Sequence, residues 1–146
     1  MNLSPNFTLA ELSHTDHREL ENVPNEAEIQ NLYRLAQFLE QVRYLLARPI
    51  MVNSAFRSKA VNDAVGSKDT SQHRLGCAAD IRVPGMTPDE VVRAIMGSGL
   101  EYDQLIREFA TPTGGGWTHV SIPSTPVAVA RGQALVIDRL GTKVYS

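Results

Sequence analysis

Between Pro24 and Pro49 the apolar residues Ile29, Leu32, Leu35, Ala36, Leu39, Val42 and Leu46 recur at helical spacing, and this stripe limits the folds open to the chain. A helix with one long apolar side must bury it against a second layer, so the stripe is core and not a partner site. Asn25, with Glu28 three residues on, marks its start, and Pro49 stops it. The covering layer has to come from the short stretches that follow: 50–53, Cys77 to Val83, 104–109, 117–122 and 134–139. Two shorter helices are signalled by caps. Thr8 and Glu11 form a capping pair with Phe7 and Leu12 placed as a staple, and Thr87-Pro88-Asp89-Glu90 opens a helix that ends at Gly97 and Gly99. Helices early and strands late predict an α+β fold, with helices on one side of an antiparallel sheet, and not a doubly wound one. A chain of 146 residues is expected to form one domain, 1–146, with a core that needs no disulfides.

Two of the expected strands carry polar residues where alternation sets them apart from the core. In Cys77 to Val83, residues Ala79, Ile81 and Val83 share one face, and Asp80 projects from the other. From Trp117 to Ile122 the same count puts Thr118, Val120 and Ile122 on one face and Trp117, His119 and Ser121 opposite. If the strands lie side by side, Asp80 and His119 meet. His73 lies seven residues before Asp80 in a polar loop, and Gly76 gives that loop freedom to fold back. Two imidazoles and a carboxylate suit a catalytic zinc, because three protein ligands leave one tetrahedral position for water. One cysteine, Cys77, cannot build a closed thiolate site, and it reads as a small buried hydrophobe. His14 and His17 lie in a polar stretch and read as solvated surface.

Composition narrows the partners. Hydrophobic content of 42% with 21% charged residues is that of a globular chain. A net charge of −2, with no Arg/Lys run, offers nucleic acid no basic surface. No stretch approaches membrane-spanning length, so no membrane insertion is expected. The start, Met1 to Phe7, lacks the basic region and apolar run of a secretory signal. Synthesis in the cytoplasm is therefore expected, and a single cysteine fits a reducing compartment. Recognition of an anionic partner would be local to a cleft, by a monomer.

Several runs resemble a known family: Asn6 to Leu12, Val52-Asn53-Ser54-Ala55-Phe56-Arg57-Ser58, Val61 to Gly66, the Ser71-x-His73-x-x-Gly76-x-Ala78-x-Asp80 run, Asp103 to Phe109, and Trp117-Thr118-His119-Val120-Ser121. In order and spacing the chain is similar to the zinc D-alanyl-D-alanine carboxypeptidases and murein endopeptidases, M15-like, in their short phage-associated branch. The tail beyond Pro123 carries little of the likeness. The resemblance implies a hedgehog/DD-peptidase fold and Zn2+ held by His73, Asp80 and His119. It also implies hydrolysis of a peptide bond in peptidoglycan stem peptides, with phage-type release or virion carriage bringing the protein to the wall.

Such a reaction needs a base and a group to hold the developing charge. Glu108 is the expected base, sharing a strand face with Gln104 and Ile106, and Asp103 is the reserve. Several branches of the family place a carboxylate three residues before the second His, where this chain has Gly116. The loop Thr111 to Gly116 is expected either to reposition the carboxylate or to form a lid. Arg57 is the expected clamp for an oxyanion or a substrate carboxylate. Ser71 is expected to donate to substrate or orient its loop, and Asn62 to bind substrate or brace the same region; both are also ordinary turn residues. Two rivals remain. One is a zinc-binding module of the same fold without catalysis, which Gly116 keeps in play; the other is a virion structural protein with a vestigial site.

Overall fold

Asn25 caps the long helix through the expected pair of bonds: its Oδ1 accepts from Glu28 N and Glu28 Oε1 accepts from Asn25 N, both at 2.8 Å. The computed structural model describes residues 1–146. A ribbon of β1 (Asn2–Ser4) and β2 (Phe7–Thr8) leads into α1 (Leu9–Leu12), then comes α2 (Glu26–Leu46). Next are β3 (Met51–Ser54), α3 (Lys59–Ala64), a 3-10 turn (Gln72–Leu75), β4 (Ala78–Arg82) and α4 (Pro88–Met96). The chain closes with β5 (Gln104–Glu108), β6 (Trp117–Ser121), β7 (Gln133–Asp138) and β8 (Gly141–Val144). Capping boxes open α1 at Thr8 and α4 at Thr87, with Pro88 inside the first turn.

The strands form a six-stranded sheet in the order β3-β4-β6-β5-β7-β8. Every pair is antiparallel except β5 and β7, which run parallel. β6 ends beside Gln104, and residues 122–132 carry the chain past β5 at that same end, so β7 starts level with Gln104 and runs parallel to β5. The α+β class and the mostly antiparallel sheet are as the element order predicts. One sheet face is apolar: Ala79, Ile81, Leu105 and Val120 join Leu32, Leu35, Leu39 and Val42 of α2 and Val91, Val92 and Ile95 of α4 in one buried cluster. Covering these side chains is the main term holding the layers together, at about 1.5–3 kcal/mol for each large aliphatic residue. The opposite face is left for polar side chains. No helix is long and apolar enough to cross a membrane.

Candidate active site

Register sets the centre of the site. In the β4–β6 pair Asp80 lies directly opposite His119, so both side chains leave the sheet on the face away from the helices. His73 reaches them from the 3-10 turn, which Ser71 Oγ caps by accepting from His73 N at 3.3 Å. Gly76 ends the turn at φ 78°, where an added Cβ would lie 2.9 Å from the Glu28 carbonyl in the first turn of α2. A side chain there would push the turn off the helix, and His73 with it.

His73 Nδ1 is 2.7 Å from the Ala55 carbonyl. A carbonyl only accepts, so Nδ1 carries the proton, and in the neutral ring Nε2 is a bare lone pair. That Nε2 lies 3.4 Å from Asp80 Oδ1, and His119 Nδ1 lies 3.1 Å from the same oxygen. The three residues are at most 9% exposed. Burial lowers the His73 pKa, against the pull of Asp80. Burial also works to raise Asp80, but the two imidazoles outweigh it and hold the carboxyl below its usual range. His73 Nε2 and His119 Nδ1 thus converge on one carboxylate oxygen, an arrangement that a shared cation would hold.

The donor set fits zinc. Ligand atoms of all three residues lie within 4.8 Å of one another. A tetrahedral zinc with nitrogen and oxygen ligands at 2.0–2.1 Å spaces its donors about 3.3 Å apart, close to the two measured separations. The second carboxylate oxygen of Asp80 accepts from Arg57 Nη2 at 3.2 Å, while Arg57 Nε donates to Ser54 Oγ at 3.1 Å. A bonded outer partner of this kind orients a metal-binding carboxylate.

Glu108 lies on β5, two residues from Ile106, which pairs with His119. Its Oε2 accepts from Trp117 Nε1 at 2.7 Å. Burial raises its pKa, and the negative charge of Asp80 adds to the rise. Glu108, Arg57, Ser71, His73, Asp80 and His119 all line one cleft of about 520 Å³. A larger cavity, about 800 Å³, lies away from these residues beside Tyr102 and Pro126, and its lining contains no histidine and no metal-ligating cluster.

Asp103, Asn62 and the Thr111 to Gly116 loop lie outside the cleft lining. Asp103, the reserve base, is 4% exposed and held by Arg131, whose Nε and Nη2 reach its carboxylate at 2.6–3.1 Å, with Gln72 Nε2 at 3.0 Å. These bonds, Arg131 foremost, keep its carboxyl below the usual range, so Asp103 ties segments together and is no base. Asn62 is fully buried, and its Nδ2 donates to the Ser67 and Lys68 carbonyls. It braces the loop leading to Ser71 from beneath and does not line the cleft. The Thr111 to Gly116 loop folds on itself through Thr111 Oγ1, and Gly114 and Gly116 line a separate pocket with residues 81–86. It does not roof the cleft. Gly116 has φ 86°, and a Cβ there would collide with the Glu108 carbonyl and lie 2.6 Å from Ala110 N. The backbone following Glu108 occupies the space that a side chain at 116 would need. Gly116→Ala is therefore expected to cost about 2–4 kcal/mol from strain and overpacking, read as a lower urea midpoint; an unchanged midpoint would contradict this packing.

Ser67, Thr70, Gln72, Arg131 and Ile137 also line the cleft and lie outside the sequence expectations. A family model described as Peptidase M15 matches residues 5–121. That span takes in His73, Asp80, Glu108, His119 and Arg57 and ends before Arg131. Among curated proteins, none matches the chain.

Proposed function

The chain belongs to the Peptidase M15 family, and from that premise we propose that it is a zinc-dependent peptidase hydrolysing a peptide bond in peptidoglycan stem peptides or their cross-links. The observation that carries the reading is the convergence of His73, Asp80 and His119 in a cleft that also presents Glu108. When bound by these three residues, zinc supplies a Lewis acid for the peptide carbonyl and lowers the pKa of water at its open position.

The remaining work falls to the chain's own groups. Glu108 takes the proton of the attacking water and returns it to the leaving amine, a task suited to a carboxylate whose pKa is raised toward neutrality. Trp117 Nε1 holds Oε2, which leaves Oε1 for the proton. Arg57 commits Nε and Nη2 to Ser54 and Asp80, and its Nη1 serves the oxyanion or a substrate carboxylate. Ser71 Oγ accepts from His73 N, so its own hydroxyl proton is available to a bound peptide. Against the non-catalytic module stands Glu108. A module that needs metal only for stability has no use for a half-buried carboxylate with a raised pKa beside the metal ligands.

Digestion of purified sacculi tests the reading. Zinc-loaded protein is expected to release peptides whose masses report one newly formed amine and carboxyl per cut. Intact sacculi of every wall chemotype after incubation would contradict it.

A further inference from the structure

The family match stops at residue 121, yet the cleft does not: Arg131 and Ile137 lie beyond the matched span and line it together with His119 and Glu108. From this we infer that Arg131 is a specificity-determining residue, presenting its guanidinium to a carboxylate of the bound peptide well away from the scissile bond. The inference rests on the peptidase reading and adds the chemistry of a second substrate contact.

The geometry prepares Arg131 for that contact. Asp103 is buried and takes one edge of the guanidinium, Nε at 3.1 Å and Nη2 at 2.6 Å, while the Arg131 backbone N donates to Asp103 Oδ1 at 3.1 Å. Gln133 N and Gly132 N bond the Asp103 and Tyr102 carbonyls, so the segment entering β7 is fixed against residues 102–103. A guanidinium has five N–H donors, and the Nη1 edge makes no bond within the protein. The side chain is still 55% exposed. A cation held rigid on one edge and open on the other binds a second carboxylate without paying to order a long side chain.

Placement says which carboxylate. β7 lies two strands from β6, and Arg131 precedes Gln133, the partner of Gln104, whereas His119 pairs with Ile106; the combined offset across and along the strands is about 15 Å, or about five residues of extended peptide. Arg57 approaches Asp80 from the β3 side, so the two arginines stand at opposite ends of the cleft. An extended stem peptide crossing the metal ligands would meet one at each end. Ile137, level with Glu108 on β7, supplies an apolar contact at the end of that strand away from Arg131.

The test uses a synthetic stem peptide and a set of analogues, each with one carboxylate converted to carboxamide. Wild-type protein should show kcat/KM at least tenfold lower for one amide placed away from the cut, mainly through KM. In Arg131→Gln that discrimination should shrink to within about twofold, through a larger rise in KM for the acid than for the amide. Arg131→Lys keeps a charge beside Asp103 and decides the matter should the Gln variant not fold; it too should lose most of the discrimination. Equal rates for the acid and every amide with wild type would overturn the inference, as would variants that lose kcat equally on all of them. If wild type cleaves none of the peptides, the peptidase reading itself fails and this inference falls with it.

Discussion

Replacing Glu108 by Gln is expected to lower kcat by about 100- to 10,000-fold, the usual contribution of a positioned acid–base group, while zinc content and KM change little. Gln is isosteric and can still accept from Trp117 Nε1, so the variant removes proton transfer and spares the wall of the cleft. The same substitution has a signature in stability. Burial raises the pKa of Glu108 in the folded protein, and a group with a raised folded pKa stabilises below its unfolded pKa and loses that contribution as pH rises through the folded value. Ionised Glu108 is therefore a burden at neutral pH. In the metal-free protein, Glu108→Gln should raise Tm at pH 7, and the gain should fade near pH 4, where both side chains are neutral. A variant with normal turnover would remove Glu108 from the mechanism. One with a lower Tm at pH 7 would show that the carboxylate is stabilised, not strained, by its surroundings.

The second large effect is expected at the ligands. His119→Ala removes one of three convergent donors and leaves Asp80 Oδ1 with His73 alone. Loss of the Lewis acid is worth several kcal/mol of barrier, so turnover should fall by about a thousandfold or more, and zinc should dialyse away from the variant under conditions where wild type retains it. The fold should survive, because His119 projects from the face opposite the apolar cluster of Leu105, Val120 and α2. Zinc retained at full stoichiometry in His119→Ala would mean that the metal sits elsewhere.

Much of this was legible in the residues because it depends on local rules. Alternation alone placed Asp80 and His119 on the polar face, and the register then set them directly opposite each other. Capping pairs at Thr8, Asn25 and Thr87 start helices where the side chains say they should. What escaped depends on contacts distant in sequence. Nothing near Asp103 announces that Arg131, 28 residues on, will occupy its carboxylate. β8 has all four residues exposed and carries no apolar alternation, so the sequence marks only a possible edge near Tyr145 and not the strand itself. The 3-10 turn that carries His73 is too short for a period and is specified by its packing on Glu28 and Leu32. Gly116, read as a missing carboxylate, is required by backbone approach behind Glu108, a steric fact that no spacing rule contains. A signal did exist for Arg131. It is a lone cation in a Gly- and Ala-containing segment just before a predicted strand, and only the fold shows which cleft that segment borders.

The central claim is that one metal ion, held by His73, Asp80 and His119, makes the Glu108 cleft a hydrolytic site. Titrating zinc into metal-free protein while following peptide release from sacculi tests it most directly. The account predicts activity that rises linearly and levels at one zinc per chain. Full zinc occupancy without hydrolysis, or hydrolysis indifferent to zinc, would contradict it.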